Sequence, residues 1–233
     1  MTARHARSGP PGANLGRRLG RTRWLLVIVG YLLAIGAGWA YGMVLTARGE
    51  WEGGAPWERS LLAAVEAATP QWFQSILYLV PWVGTNFTLG PLVALIAIWL
   101  LRHRRRDLAT WLVTVELGVL SLNWLVKQLL GRNRPEIIER VGWYGWESYP
   151  SGHSMASLAV LTTFALMIHR ANGATWPFWA SGVVFLLVSY SRLLHGVHWP
   201  SDMVGGALVG VVWLVTTWLA FVKLPTSDAS HRA

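Results

Sequence analysis

The chain has 233 residues, of which 53% are hydrophobic and only 13% are charged, and its mean hydropathy is +0.38. This composition is too apolar for an ordinary soluble domain and predicts a single integral membrane domain. The net charge of +9 does not indicate nucleic-acid binding, because the basic residues cluster beside apolar segments instead of alternating with aromatic residues. The absence of cysteine excludes disulfides and thiolate metal sites.

A membrane-spanning helix needs about 20 predominantly apolar residues, and six segments of this sequence fit that requirement. The predicted spans are residues 24–46, 85–101, 108–130, 153–168, 176–194 and 202–222. The sequence therefore predicts an all-α, polytopic membrane protein with six transmembrane helices in one domain, residues 24–222. Residues 1–23 carry six arginines and no acidic residue, and we interpret them, like residues 223–233, as a loose cytoplasmic tail.

Residues 57–83 form an apolar stretch that polar residues and a proline interrupt. The interrupting residues are Glu58, Arg59, Glu66, Pro70 and Gln71. This pattern favours an amphipathic helix on the membrane surface after the first span over a seventh span. A seventh span would also put the N-terminal tail on the opposite side of the membrane from the basic loop 102–107.

The distribution of lysine and arginine predicts the orientation, since these residues concentrate in cytoplasmic loops. With six spans, both tails lie on the same side as loops 102–107 and 169–175, and this side carries thirteen of the 20 basic residues. We therefore expect the tails to be cytoplasmic. Segments 127–135, 150–154 and 191–202 then meet at the extracytoplasmic face.

The first of these segments offers two cations. Lys127 ends a span seven residues before Arg134. Gly131 is expected to turn the chain between the two cations, and Pro135 to turn it after Arg134. The two side chains, with Arg192 at the end of a later span, are suited to surround an anion. The alternative is snorkelling, in which cations at span ends simply reach the lipid headgroups.

The second segment, residues 150–154, begins a span. Ser151 and Gly152 suit a helix N-terminus, whose unpaired backbone N–H groups and positive dipole end attract an anion. Ser151 is either a phosphate ligand or only the N-cap of the helix. His153, in the first turn, is well placed to donate a proton to a leaving oxygen.

The third segment contains a histidine and a carboxylate four residues apart, His198 and Asp202. This spacing puts both side chains on one face of a helical turn. A carboxylate that binds one ring nitrogen fixes the tautomer and leaves the other nitrogen free to attack. Asp202 also suits the helix dipole in a first turn. His195 is the competing nucleophile, but no carboxylate lies four residues after it.

Several other polar residues join no cluster or lie on the cytoplasmic side. They are Glu66, Glu116, His5, His103, His169 and His231. No group of histidines and carboxylates has metal-site spacing, and three cations would repel a metal ion. We interpret Gly205, Gly206 and Gly210 as residues that allow close helix packing.

The order and spacing of the three segments resemble the motifs of the type 2 phosphatidic acid phosphatase superfamily. The motifs are Lys127 followed by Arg134-Pro135, then Pro150-Ser151-Gly152-His153, then Ser191-Arg192 followed by His198 and Asp202. The resemblance covers residues 85–222 and includes the six-span layout.

The resemblance implies a metal-independent phosphatase without a cofactor. The implied phosphate ligands are Lys127, Arg134, Ser151, the backbone N–H of Gly152, and Arg192. The implied catalytic residues are His198 as the nucleophile that forms a phosphohistidine, Asp202 as its orienting partner and His153 as the proton donor.

The expected partner is a membrane lipid phosphate in the bilayer, and nucleic acid is not expected. Phosphatidic acid, phosphatidylglycerol phosphate and undecaprenyl diphosphate are candidate substrates that the sequence does not rank. The alternative within the same chemistry is a lipid phosphotransferase. A vanadate haloperoxidase is disfavoured because those proteins are soluble, and a phosphate or lipid transporter because transport does not require two histidines around the phosphate.

Overall fold

The computed structural model describes the backbone of residues 11–141, 145 and 147–223, and within these ranges the chain forms helices and loops without a strand. The helices are α1 Pro11–Ala47, α2 Pro56–Ala68, α3 Gln71–Leu77, α4 Val80–Val83, α5 Asn86–Arg102, α6 Arg106–Leu130, α7 Gly152–Asn172, α8 Trp176–Leu194 and α9 Pro200–Trp218. One turn of π-helix, Leu219–Lys223, continues α9. The predicted all-α fold class is confirmed.

Five helical segments are long and apolar enough to cross a membrane. They are Gly20–Ala47, Arg106–Leu130, Gly152–Asn172, Trp176–Leu194 and Pro200–Val222. Helix α5 has only 17 residues and meets this condition only together with the preceding Gln71–Val83, from which it is bent by 45°. The described part of the chain thus has five candidate spans, or six when the bent pair counts as one.

Helix α1 begins at Pro11, so the prediction of a loose tail is wrong for residues 11–23. Proline suits the first position of a helix, and the leucine and arginine residues that follow are good helix formers. Arg23 further anchors this end of α1, because it donates to Asp107 at 2.8 Å and its guanidinium lies 5.1 Å from the centroid of the Phe221 ring. Residues 1–10 and 224–233 lie outside the described ranges.

The amphipathic stretch 57–83 folds as three short helices, α2, α3 and α4, instead of one. Helix α2 buries one face, formed by Glu58, Leu62 and Val65, and packs against α8 and α9. The sequence predicts that Glu58 interrupts the apolar face of this stretch, whereas its side chain lies on the buried face of α2. The location of α2 at the membrane surface stays a prediction.

Glycines bring α7 and α9 into close contact. A Cβ atom at Gly206 would collide with the carbonyl oxygen of Ser151, and one at Gly210 would lie 3.2 Å from the carbonyl oxygen of Met155. A Cβ atom at Gly205 would meet the ring of Tyr149. The predicted role of these glycines in close packing is confirmed, and it fixes the beginnings of α7 and α9 side by side.

Candidate active site

The C-terminal ends of α6 and α8 meet the N-terminal ends of α7 and α9 at one end of the bundle. Lys127 lies in the last turn of α6, Arg192 in the last turn of α8 and Asp202 in the first turn of α9. His153 lies in the first turn of α7, and His198 lies just before α9. The fold therefore brings the three sequence segments together, as predicted.

The histidine and carboxylate of the third segment are in contact. Nδ1 of His198 lies 3.3 Å from Oδ2 of Asp202, and both side chains are buried. The same Oδ2 accepts a hydrogen bond of 2.8 Å from the backbone N–H of Trp199. Burial and the charges of nearby cations hold the pKa of His198 well below its usual 6.5, although a hydrogen bond with the backbone of Ser148 acts in the opposite direction. The ring is therefore neutral at neutral pH.

Lys127 and Arg134 are held by the loop before α7. Nζ of Lys127 donates to the carbonyl oxygens of Glu147 at 2.7 Å and Ser148 at 3.2 Å. Arg134 donates to the same Glu147 carbonyl at 2.8 Å and also to the carbonyl oxygen of Val197, one residue before His198. The shared acceptor keeps the two cations together beside the histidine.

The Arg192 side chain is only 5% exposed, and its Nε has no hydrogen-bond partner among the residues that the structure describes. A buried cation with an unpaired donor is costly unless an anion completes its coordination. Arg192, Arg134 and Lys127 lie close enough for their charges to act on both His153 and His198. The geometry thus surrounds two histidines with three cations, a combination that suits a phosphate group.

Ser151 and Gly152 have structural roles that do not depend on phosphate. Ser151 is the N-cap of α7, and its fully buried hydroxyl accepts a hydrogen bond of 3.4 Å from the backbone N–H of Ser154. A Cβ atom at Gly152 would lie 2.8 Å from Nδ2 of Asn123 in α6, so glycine lets the beginning of α7 lie close to this side chain. The binding of phosphate by these two residues stays a prediction.

His195, the competing nucleophile, has a different environment. Its ring stacks on Tyr78 with 5.0 Å between the ring centroids. Both ring nitrogens are buried without a hydrogen-bond partner within the described part of the chain. Burial, together with the charge of Arg192, lowers the pKa of His195 to about 4. Among the described residues, the His195 ring therefore lacks the carboxylate partner that His198 has.

Two charged residues of this region were missed in the sequence. Arg132 and Glu58 are both fully buried, and Arg132 lies 2.8 Å from Oδ1 of Asp202 and 3.0 Å from Oε2 of Glu58. A local signal for Glu58 existed, because Pro56 begins α2 and places this carboxylate in the first turn, where it caps the helix. Nothing local distinguishes Arg132 from a surface cation.

Glu116, left out of the site on sequence grounds, lies elsewhere. It lines a groove of about 560 Å³ between α5 and α6, together with Asn86 and Gly90, and its carboxylate oxygens have no partner among the described residues. Within the same ranges, no group of three or more histidines and carboxylates is placed to hold a metal ion.

Residues 108–225 match the family model of the PAP2 superfamily. The chain is 36% identical over 78 residues to an undecaprenyl-diphosphatase of Sulfolobus acidocaldarius, a match that covers 33% of this chain and 32% of that protein. It is 28% identical over 159 residues to phosphatidylglycerophosphatase B of Bacillus subtilis, covering 64% of this chain and 75% of that protein. The chain thus spans about a third of the length of the archaeal relative.

The fold resembles the crystal structure of a transmembrane PAP2-type phosphatidylglycerolphosphate phosphatase from Bacillus subtilis. The TM-score is 0.68 at 21% sequence identity, and the superposition covers 85% of this chain and 97% of the other. The family match extends over half of the sequence and includes every predicted site residue, from Lys127 to Asp202. On these grounds the chain belongs to the PAP2 superfamily.

Proposed function

We propose that the protein hydrolyses lipid phosphates or diphosphates at the extracytoplasmic membrane face, without a metal ion, through a phosphohistidine at His198. The observation that carries this proposal is the His198–Asp202 contact beside three cations and a second histidine. Phosphoryl transfer spreads negative charge over the equatorial oxygens of the transferred group, and fixed positive charges stabilise that distribution. Here Lys127, Arg134 and Arg192 supply the charge.

In the first half-reaction, Nε2 of His198 attacks phosphorus and the bond between phosphorus and the leaving oxygen breaks. The leaving oxygen takes a proton from His153. Asp202 keeps the proton of His198 on Nδ1, so that the lone pair is on Nε2, and it stabilises the positive charge that the ring gains. The low pKa of His198 supports this role, because only the neutral ring is a nucleophile.

In the second half-reaction, water attacks the phosphohistidine. His153, now neutral, accepts a proton from that water, and the bond between phosphorus and Nε2 breaks. Inorganic phosphate leaves, His198 returns to its neutral form and His153 is again protonated. Both half-reactions use the same cations to stabilise the charge on the phosphoryl oxygens.

A lipid substrate suits a site at the end of a membrane bundle, since its headgroup reaches the cations while its chains stay in the bilayer. Phosphatidic acid, phosphatidylglycerol phosphate and undecaprenyl diphosphate are the candidates. The activities of the two relatives, an undecaprenyl-diphosphatase and a phosphatidylglycerophosphatase, support the last two.

The test is phosphate release by the purified full chain in detergent with EDTA, using these three lipids at equal detergent concentration. We expect release from at least one lipid, no effect of EDTA and no release by His198→Asn. Loss of activity on chelation would reject the metal-free mechanism. Adding acceptor lipids and analysing the products separates hydrolysis from phosphotransfer. A folded protein that forms neither phosphate nor a phosphorylated acceptor would favour the transporter alternative.

The covalent step has its own test. With a ³²P-labelled substrate, rapid quenching should trap label on the protein in a form stable to alkali and labile to acid, as phosphohistidine is. His153→Ala should retain the label longer because deprotonation of water is impaired. Labelling of His198→Asn equal to that of the wild type would rule out this residue as the nucleophile.

The sidedness is testable because the chain contains no cysteine. Single cysteines at Glu136, whose side chain is 87% exposed at the site end, and at exposed His103, in the loop before α6, report the two faces. In intact cells, a membrane-impermeant maleimide should label Glu136→Cys and not His103→Cys. The opposite labelling would invert the proposed topology.

A further inference from the structure

Arg132 lies behind the His198–Asp202 pair, and all of its donors are used. A guanidinium group has five N–H donors. Their acceptors are the carbonyl oxygens of Trp51 at 3.0 Å and Glu50 at 2.8 Å, the hydroxyl of Ser201 at 2.6 Å, and the carboxylates of Glu58 at 3.0 Å and Asp202 at 2.8 Å. Arg132 therefore has no N–H donor left for a phosphate, and we do not place it among the phosphate ligands.

The carboxylate of Glu58 is as fully coordinated as the guanidinium of Arg132. Its Oε2 accepts from Arg132 and from the backbone N–H of Ala55 at 2.9 Å. Its Oε1 accepts from the backbone N–H of Ser201 at 3.0 Å and from the hydroxyl of the same residue. Glu58 thus connects the beginning of α2 to the first turn of α9, where Asp202 lies.

Aromatic rings shield this network from water. The guanidinium carbon of Arg132 lies 5.4 Å from the ring centroids of both Trp51 and Trp199. Gly54, at a φ of +68°, allows the Trp199 ring to approach the backbone more closely than any side chain would permit. In such a dry environment, charge interactions are stronger than at the protein surface.

We propose that Glu58 and Arg132 are positioning residues that act on His198 through Asp202. The inference rests on the proposed function, in which His198 is the nucleophile. Arg132 holds Oδ1 of Asp202, so that Oδ2 faces Nδ1 of His198. Glu58 balances the charge of Arg132, and the three side chains together carry one more negative charge than positive, which stabilises the ring when it becomes positive.

The competing explanation is that the network only fastens α2 to α9. Stability alone does not explain it well, because replacing a buried ion network by apolar side chains is often neutral or stabilising. The two explanations differ in what happens to His198. If the network only connects α2 to α9, its loss lowers the unfolding temperature and leaves the His198 ring unaffected. If it is a positioning network, its loss also changes the tautomer of the ring and the turnover number.

The test uses Glu58→Gln and Arg132→Lys, with Glu66→Gln on the exposed face of α2 and Arg140→Lys as matched controls. Glutamine keeps the shape of Glu58 but removes its charge, and lysine keeps the charge of Arg132 but lacks the five-donor fork. We expect kcat to fall roughly 10- to 100-fold and KM to stay within about threefold of the wild type. A loss of this size is typical when the hydrogen-bond partner that orients a functional histidine is removed. The controls should match the wild type.

The second readout does not require turnover. In ¹⁵N-histidine-labelled protein, the signals of His198 are assigned by their absence in His198→Asn, and they report which ring nitrogen carries the proton. We expect Nδ1–H in the wild type and a mixture of tautomers in Glu58→Gln and Arg132→Lys. Either an unchanged tautomer or a kcat within about twofold of the wild type overturns the proposal, even if the unfolding temperature falls.

If Arg132→Lys does not fold, Glu58→Gln and Ser201→Ala carry the test, because each removes one part of the network and leaves Arg132 paired with Asp202. If the wild type releases no phosphate from any lipid, the proposed function fails. The tautomer measurement then still shows whether Glu58 and Arg132 control the His198 ring.

Discussion

Nδ1 of His198 and Oδ2 of Asp202 lie 3.3 Å apart across the beginning of α9. Asp202 is the third residue of α9, and the same Oδ2 caps the helix by accepting from the N–H of Trp199. One carboxylate therefore both begins the helix and orients the ring. Because the capping bond needs only an oxygen acceptor while the histidine needs a negative charge, the two roles can be separated by substitution.

Asp202→Asn should leave α9 intact and impair catalysis. The amide oxygen can still accept from Trp199 and face Nδ1 of His198, but it carries no negative charge to stabilise a positive ring. The amide NH2 group would also replace the oxygen to which Arg132 donates. By comparison with the loss of the buried aspartate in a serine-protease triad, kcat should fall by roughly 10²- to 10⁴-fold. Phosphate release, measured beside circular dichroism of the same preparation, checks both halves of this prediction.

His195→Ala is the matched control for the nucleophile. His195 stacks on Tyr78, and its ring makes no hydrogen bond to a carboxylate among the described residues, so its loss should cost stability and leave substantial activity. His198→Ala should abolish turnover. An inactive His195 variant beside an active His198 variant would overturn the assignment of the nucleophile.

Arg192→Met should weaken anion binding without destabilising the folded protein. Removing a buried cation with an unpaired Nε should leave the free protein at least as stable as the wild type. Orthovanadate or phosphate should stabilise the wild type, by about 2.7 kcal/mol at a concentration of 100 times Kd, and the variant much less. Thermal unfolding with and without the anion measures both effects, and an equal shift in the two proteins would exclude Arg192 from the anion site.

The parts of the site that were predictable are local in sequence. The contact between His198 and Asp202 follows from a four-residue spacing, and the placement of Lys127 and Arg192 follows from the ends of apolar spans. Neither requires knowledge of how the helices pack. The i, i+4 rule and the length of a membrane span are sufficient.

The parts that were missed depend on tertiary packing. Glu58 is separated from Arg132 by 74 residues and from Ser201 by 143 residues, and no periodicity connects positions so far apart. An acidic residue in an amphipathic stretch normally faces water, and here the ion pair with Arg132 reverses that preference. The start of α1 was also missed, since hydropathy detects the apolar part of a helix and not its extension beyond the membrane.

Acidification should destabilise the protein partly through His195. Its pKa is about 4 in the folded protein and about 6.5 in the unfolded chain. Between these values the unfolded chain binds a proton that the folded protein does not, so stability falls as the pH falls from 6.5 to 4. His195→Phe, which keeps a ring beside Tyr78, should reduce the decrease in unfolding temperature over this range.

The decrease should be reduced and not abolished, because the pKa of buried His198 is also lowered in the folded state. His103→Asn, at an exposed position, is the control and should show the full wild-type decrease. A His195→Phe curve parallel to that of the wild type would mean that this buried histidine does not contribute to the acid sensitivity.

Gly206→Ala should damage the site by forcing α7 and α9 apart. The new methyl group would collide with the carbonyl oxygen of Ser151, which cannot move without displacing the first turn of α7 and with it His153. Overpacking of this kind typically costs about 1–3 kcal/mol. Gly182→Ala in α8 is the control, because a Cβ atom there meets nothing within 4 Å and alanine stabilises a helix interior by about 0.5–1 kcal/mol. We expect Gly206→Ala to lose most of its phosphate release even where it remains folded, since the reaction depends on the distance between the beginnings of α7 and α9. Equal activities of Gly206→Ala and Gly182→Ala would show that this contact does not set the geometry of the site.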